Sequence, residues 1–387
     1  MLALLLALCW PSQAHAYAWM IRHGYTQCGQ CHVDPSGSGA LTRYGHAMTE
    51  VVLRTHYDFE HPDDDAALGN FLFGAVELPE ELDLGGDIRL LSLHDKVEGS
   101  ALQDRLIWMQ IEGKASVQAG RVVGSATLGY APEGALGAAI TGRTEKNLVS
   151  REHWLGVYLD ESQRVLLRAG RMNLPFGVRS IEHTLWARTF TGSDINDSQQ
   201  YGLAFAYSDE HFRAELMGIL GSLQIRPDVF RQRGYSAFAE YEVMPRLTFG
   251  ASSKIVHEQL DPGFLKEEWR HAHGLFSRWA SPWEPLVLLG ELDYVLDSPR
   301  GLLKTRGVVG YLQGDIEPTQ GVHFMGTFEG SGVTVTSAPP SFGGWLSYAW
   351  FFAPHADIRL DNIYRSIGTT SGHVGELSFL IQGHVSL

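Results

Sequence analysis

The sequence predicts an all-β transmembrane barrel of about sixteen antiparallel strands, preceded by a small α-helical module at the N-terminus. Three observations carry that prediction. From Leu82 onward, runs about ten residues long alternate apolar and polar side chains, the period-two pattern of strands with one face to lipid and one to water. No stretch offers the roughly 20 consecutive apolar residues a membrane-spanning helix needs beyond the first few tens of residues, so a membrane would be crossed by strands. Short turns and longer loops alternate along the C-terminal three quarters of the chain, as they do in a chain that runs up and down through a bilayer.

The runs are clearest in four places. Tyr235, Ala237, Ala239, Tyr241 and Val243 share one face, with Glu240 and Glu242 on the other. Leu247, Phe249, Ala251, Ser253 and Ile255 oppose Thr248, Ser252 and Lys254, and Leu286 to Leu296 oppose Glu291, Asp293 and Asp297. The last run, Leu377, Phe379, Ile381, Gly383, Val385 and Leu387 against Glu376, Ser378, Gln382 and His384, reads as the closing strand. Short turns are expected near 114–116, 160–163, 208–211, 244–246, 281–285, 314–318 and 353–355. Longer loops are expected near 96–101, 131–148, 173–200, 221–233, 257–270, 297–302, 331–342 and 366–373. Seven turns and eight loops join about sixteen strands, an even number with both chain ends of the barrel on the short-turn side. Boundaries read this way shift by several residues, so fourteen or eighteen strands also fit.

Trp154, Trp279, Trp283, Trp345 and Tyr348 fall near strand ends, where interfacial aromatic girdles lie. The segment 173–200, with Arg179, His183 and Arg188, is the longest loop and the candidate to fold into the lumen; lying outside as a surface loop is the other option. A soluble β-sandwich or propeller would bury the apolar face as a core, but there is no 40-residue blade repeat and the hairpins follow one another with few crossovers.

With 387 residues, 44% hydrophobic and 19% charged, the chain suffices for one large barrel or two to three ordinary domains. The net charge of -14 is spread along the chain without basic stretches to neutralise phosphates, which argues against nucleic acid as a partner. The three cysteines are Cys9, Cys28 and Cys31. Residues 1–16 read as a secretory signal, with Leu2 to Leu8 as apolar core, Pro11 as a break and Ala14-His15-Ala16 as the cleavage site. Cys9 would leave with it; a lipoprotein anchored on Cys9 is the alternative, disfavoured by the bulk of Leu8.

Residues 17–56 hold the chemistry. Cys28-Gly29-Gln30-Cys31-His32 is the C-x-x-C-H pattern of c-type haem attachment. Two thiols two residues apart can add to the two vinyl groups of one porphyrin edge, and the next histidine can reach the iron. A zinc site would want a second Cys/His pair, and a thioredoxin-like pair a strand–helix context; a Cys28–Cys31 disulfide in an oxidising compartment is the plainer alternative. Asp34 to Gly39 is turn-rich, and Ala40 to His56 reads as a helix with an apolar stripe of Leu41, Tyr44, Ala47, Met48, Val51 and Val52. His23 is the first candidate for the sixth iron ligand, with His46 and Met48 as alternatives and His56 and Met20 behind them; His46 is expected to face solvent. Residues 57–81, acidic and broken by Pro62 and Pro79, read as a linker to a barrel spanning 82–387.

Arg22 to Tyr25, Cys28 to His32, Pro35 to Gly39 and Leu41 to Gly45 resemble the N-terminal region of outer-membrane proteins that combine one c-type haem motif with a porin-like barrel. Ala169-Gly170-Arg171-Met172-Asn173-Leu174-Pro175-Phe176-Gly177 resembles a segment of phosphate-selective-type porins, which are sixteen-stranded barrels. The resemblance implies a location in the bacterial outer membrane, one covalent haem c on Cys28 and Cys31 with His32 as an iron ligand, and electron transfer with periplasmic or surface cytochromes. Anion selectivity does not carry over, because the inward faces hold Asp293, Asp297, Asp357 and Asp361 beside Arg359 and Arg365. A diffusion porin with the haem module as plug, sensor or docking element is the alternative function. A homotrimer is a common assembly for barrels of this size. No enzymatic activity is expected; a haem peroxidase would need an open coordination site.

Overall fold

The computed structural model describes residues 17–57, 68–131, 147–182, 184–282, 285–334 and 338–387. The signal segment, part of the linker, most of the loop 131–148, His183 and Trp283 therefore lie outside the described residues.

Sixteen antiparallel strands close on themselves. They are β1 (Leu82–Val97), β2 (Gln103–Ala119), β3 (Val122–Ala131), β4 (Asn147–Val149, resuming as His153–Tyr158), β5 (Val165–Met172), β6 (Gln200–Ser208), β7 (Phe212–Gly221), β8 (Arg233–Met244), β9 (Leu247–Glu258), β10 (Glu268–Ala280), β11 (Leu286–Pro299), β12 (Thr305–Thr319), β13 (Val322–Ser331), β14 (Ser341–Ala353), β15 (Ala356–Thr369) and β16 (Gly372–Ser386). Each pairs with its sequence neighbours, both pieces of β4 lie on β3, and β1 pairs with β2 on one side and β16 on the other, for example Ile88 with Ile111 and with Val385. Closure leaves the sheet without an edge.

The side chains are distributed inside out relative to a soluble protein. Leu346 is 73% exposed on the outer face, in company with Leu155, Leu275, Leu292 and Phe328, while Arg168, Asp293, Asp315 and His323 are 0% exposed within. Such an apolar belt would be untenable in water and is what contact with lipid requires. It rules out the sandwich and propeller, whose apolar face would be the buried one.

Two expected turns are displaced. Strand β2 runs through 114–116 to Ala119, because Lys114 is an inward side chain paired with Asp87 of β1 and is no turn residue. Strand β12 likewise passes 314–318, with Asp315 inward against His323 at 3.1 Å. Trp154 and Trp345 are not girdle residues: both are buried within the barrel, Trp154 under the Arg168 guanidinium at 4.9 Å and Trp345 donating to Glu329 Oε1 at 2.9 Å.

The lumen is filled. After Met172 the chain turns inward, and residues 173–182 and 184–199, including the short helix α2 (Trp186–Thr191), lie inside the barrel. Gly177 N donates to Ser252 Oγ at 2.9 Å, Val178 N to Glu291 Oε2 at 2.9 Å and Trp186 N to Glu329 Oε2 at 2.9 Å. Arg188 pairs with Glu291 at 2.8 Å and Glu182 with Arg359 at 3.1 Å. Buried charges persist only when paired, so these cross-lumen ion pairs fix the loop to the wall.

Candidate functional site

Residues 17–57 pack into the barrel mouth at the short-turn end. The first contact is apolar. Ala18–His23 forms a 3₁₀ turn whose Trp19, Met20 and Ile21 are buried against Ala280, Val287, Leu289, Met325, Ala349 and Phe351, inward-facing residues at the ends of four strands. There the polar interior gives way to an apolar seat. The Trp19 ring stacks on Tyr17 at 4.7 Å and lies 3.9 Å from the His323 ring. Polar contacts rim the seat: Arg22 pairs with Glu317 at 2.8 Å and donates to the Pro285 carbonyl at 3.2 Å.

Gly24, at φ 88°, then reverses the chain. Arg278 Nη2 donates to the Thr26 carbonyl at 2.6 Å, and Gln27 bonds to Asp209 and Ser208 in the turn between β6 and β7. Cys28–Gln30 makes one 3₁₀ turn, closed by Cys31 N and His32 N donating to the Cys28 carbonyl at 3.2 and 3.0 Å. Residues 31–33 and 40–42 come together antiparallel, Val33 N on the Ala40 carbonyl at 3.0 Å and Thr42 N on the Cys31 carbonyl at 2.8 Å. Two glycines are obligatory here. A Cβ on Gly45 would lie 2.3 Å from the Cys31 carbonyl oxygen; one on Gly37, whose φ is +90°, would lie 2.8 Å from Cys28 Cβ.

Helix α1 (Arg43–Met48) begins on a Thr42 cap, with Gly45 N donating to Thr42 Oγ1 at 3.0 Å, and continues as a wider π turn over Thr49–Leu53. It is shorter than the expected helix over 40–56, since Ala40, Leu41 and Thr42 are spent on the antiparallel pairing. The plug is tied off by Thr55 N on the Phe351 carbonyl at 2.8 Å and the Tyr57 hydroxyl on the Phe352 carbonyl at 2.8 Å.

A cavity of about 210 Å³ opens between plug, strand walls and inserted loop. Cys31 and His32 line it together with Met20, Leu41, Lys114, Glu152, Asn173 and His384. Both cysteines are free thiols, so the structure contains no Cys28–Cys31 disulfide. The Cys28 sulfur accepts from Arg213 Nη1 at 2.9 Å. Burial pushes this thiol up, but Arg213, Arg278 and Arg179 outweigh it and hold Cys28 below the ordinary thiol range. Cys31 has no such cations, and burial together with Cys28 pushes it up to about 12.

Burial and Lys114 push His32 down to about 4, so the imidazole is neutral at physiological pH, and its Nδ1 is buried without a hydrogen-bond partner. A neutral ring with an uncommitted nitrogen is the form that ligates a metal. Two free thiols and this histidine, with Cys31 and His32 on a cavity wall, are a donor set that fits a covalent haem.

The other candidates separate. Met20 is wholly buried on the cavity wall. His23 has its Nε2 3.6 Å from Glu317. His46, expected at the surface, is 7% exposed, because its side of α1 faces the barrel start near Gly85; burial and His355 push it down to about 4. Met48 is buried and takes the Tyr25 hydroxyl at 3.9 Å, which is a packing role. Sequence reading missed Arg213, Lys114 and His384 as cavity or thiol neighbours, and ranked Met20, which lines the cavity, behind the other ligand candidates. The only sequence signal for the strand residues was that they carry charge on inward positions.

No family model matches the chain, and no curated protein matches its sequence. Solved structures do match its fold. The outer-membrane expressed OmpT of Vibrio cholerae superposes with a TM-score of 0.59 at 10% identity, covering 81% of this chain and 99% of that one. The anion-selective porin from Comamonas acidovorans gives 0.60 at 9% identity, covering 79% and 99%. The outer membrane channel DcaP of Acinetobacter baumannii gives 0.58 at 10% identity, covering 79% and 97%. The chain thus has the fold of porin-like outer-membrane barrels.

Proposed function

We propose that this chain is a bacterial outer-membrane barrel of the porin type, closed at its periplasmic mouth by residues 17–57, and that this plug carries one haem c. The observation that carries the reading is that Cys31 and His32 of the C-x-x-C-H motif line the cavity inside the mouth. Cys28 and Cys31 would hold the group through thioethers and His32 would ligate its iron; when bound it supplies one-electron exchange. Met20, sharing the cavity wall with His32, is the sixth ligand we favour over His23, His46 and Met48. The protein's part is to exclude water from the cavity, keep His32 neutral and hold the motif on the wall through Arg213 and Arg168.

The porin-like fold supports transport as the primary role: a diffusion path for small solutes, with the plug as a gate or sensor. Electron exchange with partner cytochromes is the second reading, favoured by the motif's position at the mouth, since one haem cannot bridge a hydrocarbon layer of roughly 25 Å alone. One neighbour, OmpT of Vibrio cholerae, is described in a trimer form, and a homotrimer in the outer membrane is the assembly we propose here. Planar-bilayer conductance separates the roles. A pore that opens on deleting 17–57 or on changing the redox state supports gated transport. A barrel that stays closed in every state but accepts electrons supports the second reading.

A further inference from the structure

The outer face of the barrel carries an arrangement that neither channel nor haem uses. Ser92 Oγ lies 3.2 Å from His94 Nε2, and His94 Nδ1 lies 2.6 Å from Asp104 Oδ1. The pleat and register explain the meeting. Ser92 and His94 are two apart on β1 and share its outward face, and β2 sets Asp104 directly across from His94 and Leu106 across from Ser92. The inward alternates, Leu91 and Leu93, pack within the barrel.

The order of contacts assigns the roles. A carboxylate accepting from Nδ1–H fixes the imidazole in the tautomer whose Nε2 has a free lone pair, and that nitrogen faces a hydroxyl that can donate to it. Nucleophile, base and orienting acid are recognised by this geometry on unrelated folds.

The surroundings name the substrate. Leu106, Trp108, Phe379 and Ile381 form an exposed apolar field around the three residues, and the His94 ring is 6.3 Å from that of Phe379. Strand β1 ends three residues past His94, at Val97, so the cluster lies at the loop-side margin of the apolar belt. Charges are tolerated on a lipid-facing surface near the interface and not at its centre. Lys96, the next outward residue toward the loops, is exposed and supplies a cation where a phosphate headgroup would lie.

We propose that Ser92, His94 and Asp104 form a lipid-facing acyl-ester hydrolase site acting on glycerophospholipids of the loop-side leaflet. Ser92 Oγ attacks the ester carbonyl carbon while its proton passes to His94 Nε2. The ester C–O bond breaks, and the departing glycerol oxygen takes that proton, leaving lysophospholipid and an acyl-serine ester. Water then gives a proton to His94 and attacks the acyl carbon, releasing the fatty acid and returning the proton to Ser92. Asp104 holds the imidazole and stabilises its charge throughout. This inference rests on the outer face lying in lipid and on nothing in the plug.

The test uses the full chain purified in detergent, given mixed micelles of phosphatidylethanolamine with a labelled acyl chain and, separately, a fluorophosphonate probe. Folding is read from each variant's compact, heat-sensitive migration on gels. The proposal expects release of labelled fatty acid, probe attached to the peptide bearing Ser92, and loss of both by at least about 100-fold in folded Ser92→Ala, His94→Ala and Asp104→Asn. Fatty-acid release equal in the parent and in Ser92→Ala, or a parent that the probe does not label, would overturn it.

Discussion

Arg168 Nη1 lies 2.7 Å from Asp34 Oδ1, and both side chains are fully buried. Arg168 belongs to β5 and Asp34 is the second residue after His32, so this ion pair fastens the motif segment to the barrel wall. Asp34 also accepts from Ser36 N at 2.7 Å, which shapes the turn leading out of the motif.

Breaking that pair should loosen the plug without unfolding the barrel. Asp34→Asn leaves Arg168 paired with Glu215, so the charge is not stranded, and should weaken plug seating by about 1.5–3 kcal/mol, the worth of a buried hydrogen bond between charged groups. Hydrogen exchange over 17–57 should accelerate while the strands stay protected. Unchanged protection of 17–57 would show that the pair does not hold the plug.

The same contact sets an acid limit. Burial raises the Asp34 carboxyl, but Arg168 and the Ser36 bonds outweigh burial and hold it below the usual carboxylate range. A carboxyl depressed in the folded state stabilises above its unfolded value and loses that contribution as pH falls through the folded value. The plug should therefore remain seated down to about pH 3.9, the ordinary aspartate value, and loosen only below it. Exchange of 17–57 measured from pH 7 downward checks this; loosening near pH 6 would implicate another group.

Trp19 anchors the apolar seat. Trp19→Ala should cost about 3–5 kcal/mol of plug attachment, as large-to-small changes in a packed core do, and should raise the open probability in planar bilayers. A closed barrel with normal exchange in 17–57 would mean the rim contacts suffice.

The inserted loop should constrict the lumen by itself. Arg188→Ala strands Glu291, which otherwise takes Arg188 at 2.8 Å and Val178 N at 2.9 Å. In a chain lacking 17–57, this change should increase single-channel conductance further, because the inserted loop loses its ion pair with β11 and keeps only the Val178 N–H on Glu291 there. Equal conductance with and without Arg188 would show that the loop does not limit the pore.

Much of the barrel was legible because a lipid-facing strand repeats every second residue, and runs such as Tyr235 to Val243 carry that period without interruption. The errors arose where the period carries other information. Lys114 and Asp315 look like turn residues, yet each is an inward charge whose partner, Asp87 or His323, lies on an adjacent strand. Val287, Leu289 and Phe351 look like ordinary strand residues, and only the presence of Trp19 and Met20 in the mouth reveals them as a seat. The C-x-x-C-H motif is local chemistry and was readable at once. Its neighbours Arg213 and Lys114, and the burial of His46, depend on how segment 17–57 enters the barrel, which no local pattern encodes. The Ser92–His94–Asp104 contacts were likewise hidden, since they need the β1–β2 register.

The most direct test of the plug's chemistry is the intact mass and visible spectrum of the protein purified from membranes of a host that matures c-type cytochromes. The account predicts a polypeptide starting at Tyr17 with one haem covalently added, a low-spin spectrum altered in Met20→Ala, and loss of the added mass in the Cys28→Ala, Cys31→Ala double variant. A colourless protein whose mass equals that of the polypeptide alone, in a host that attaches haem to other C-x-x-C-H proteins, would contradict it.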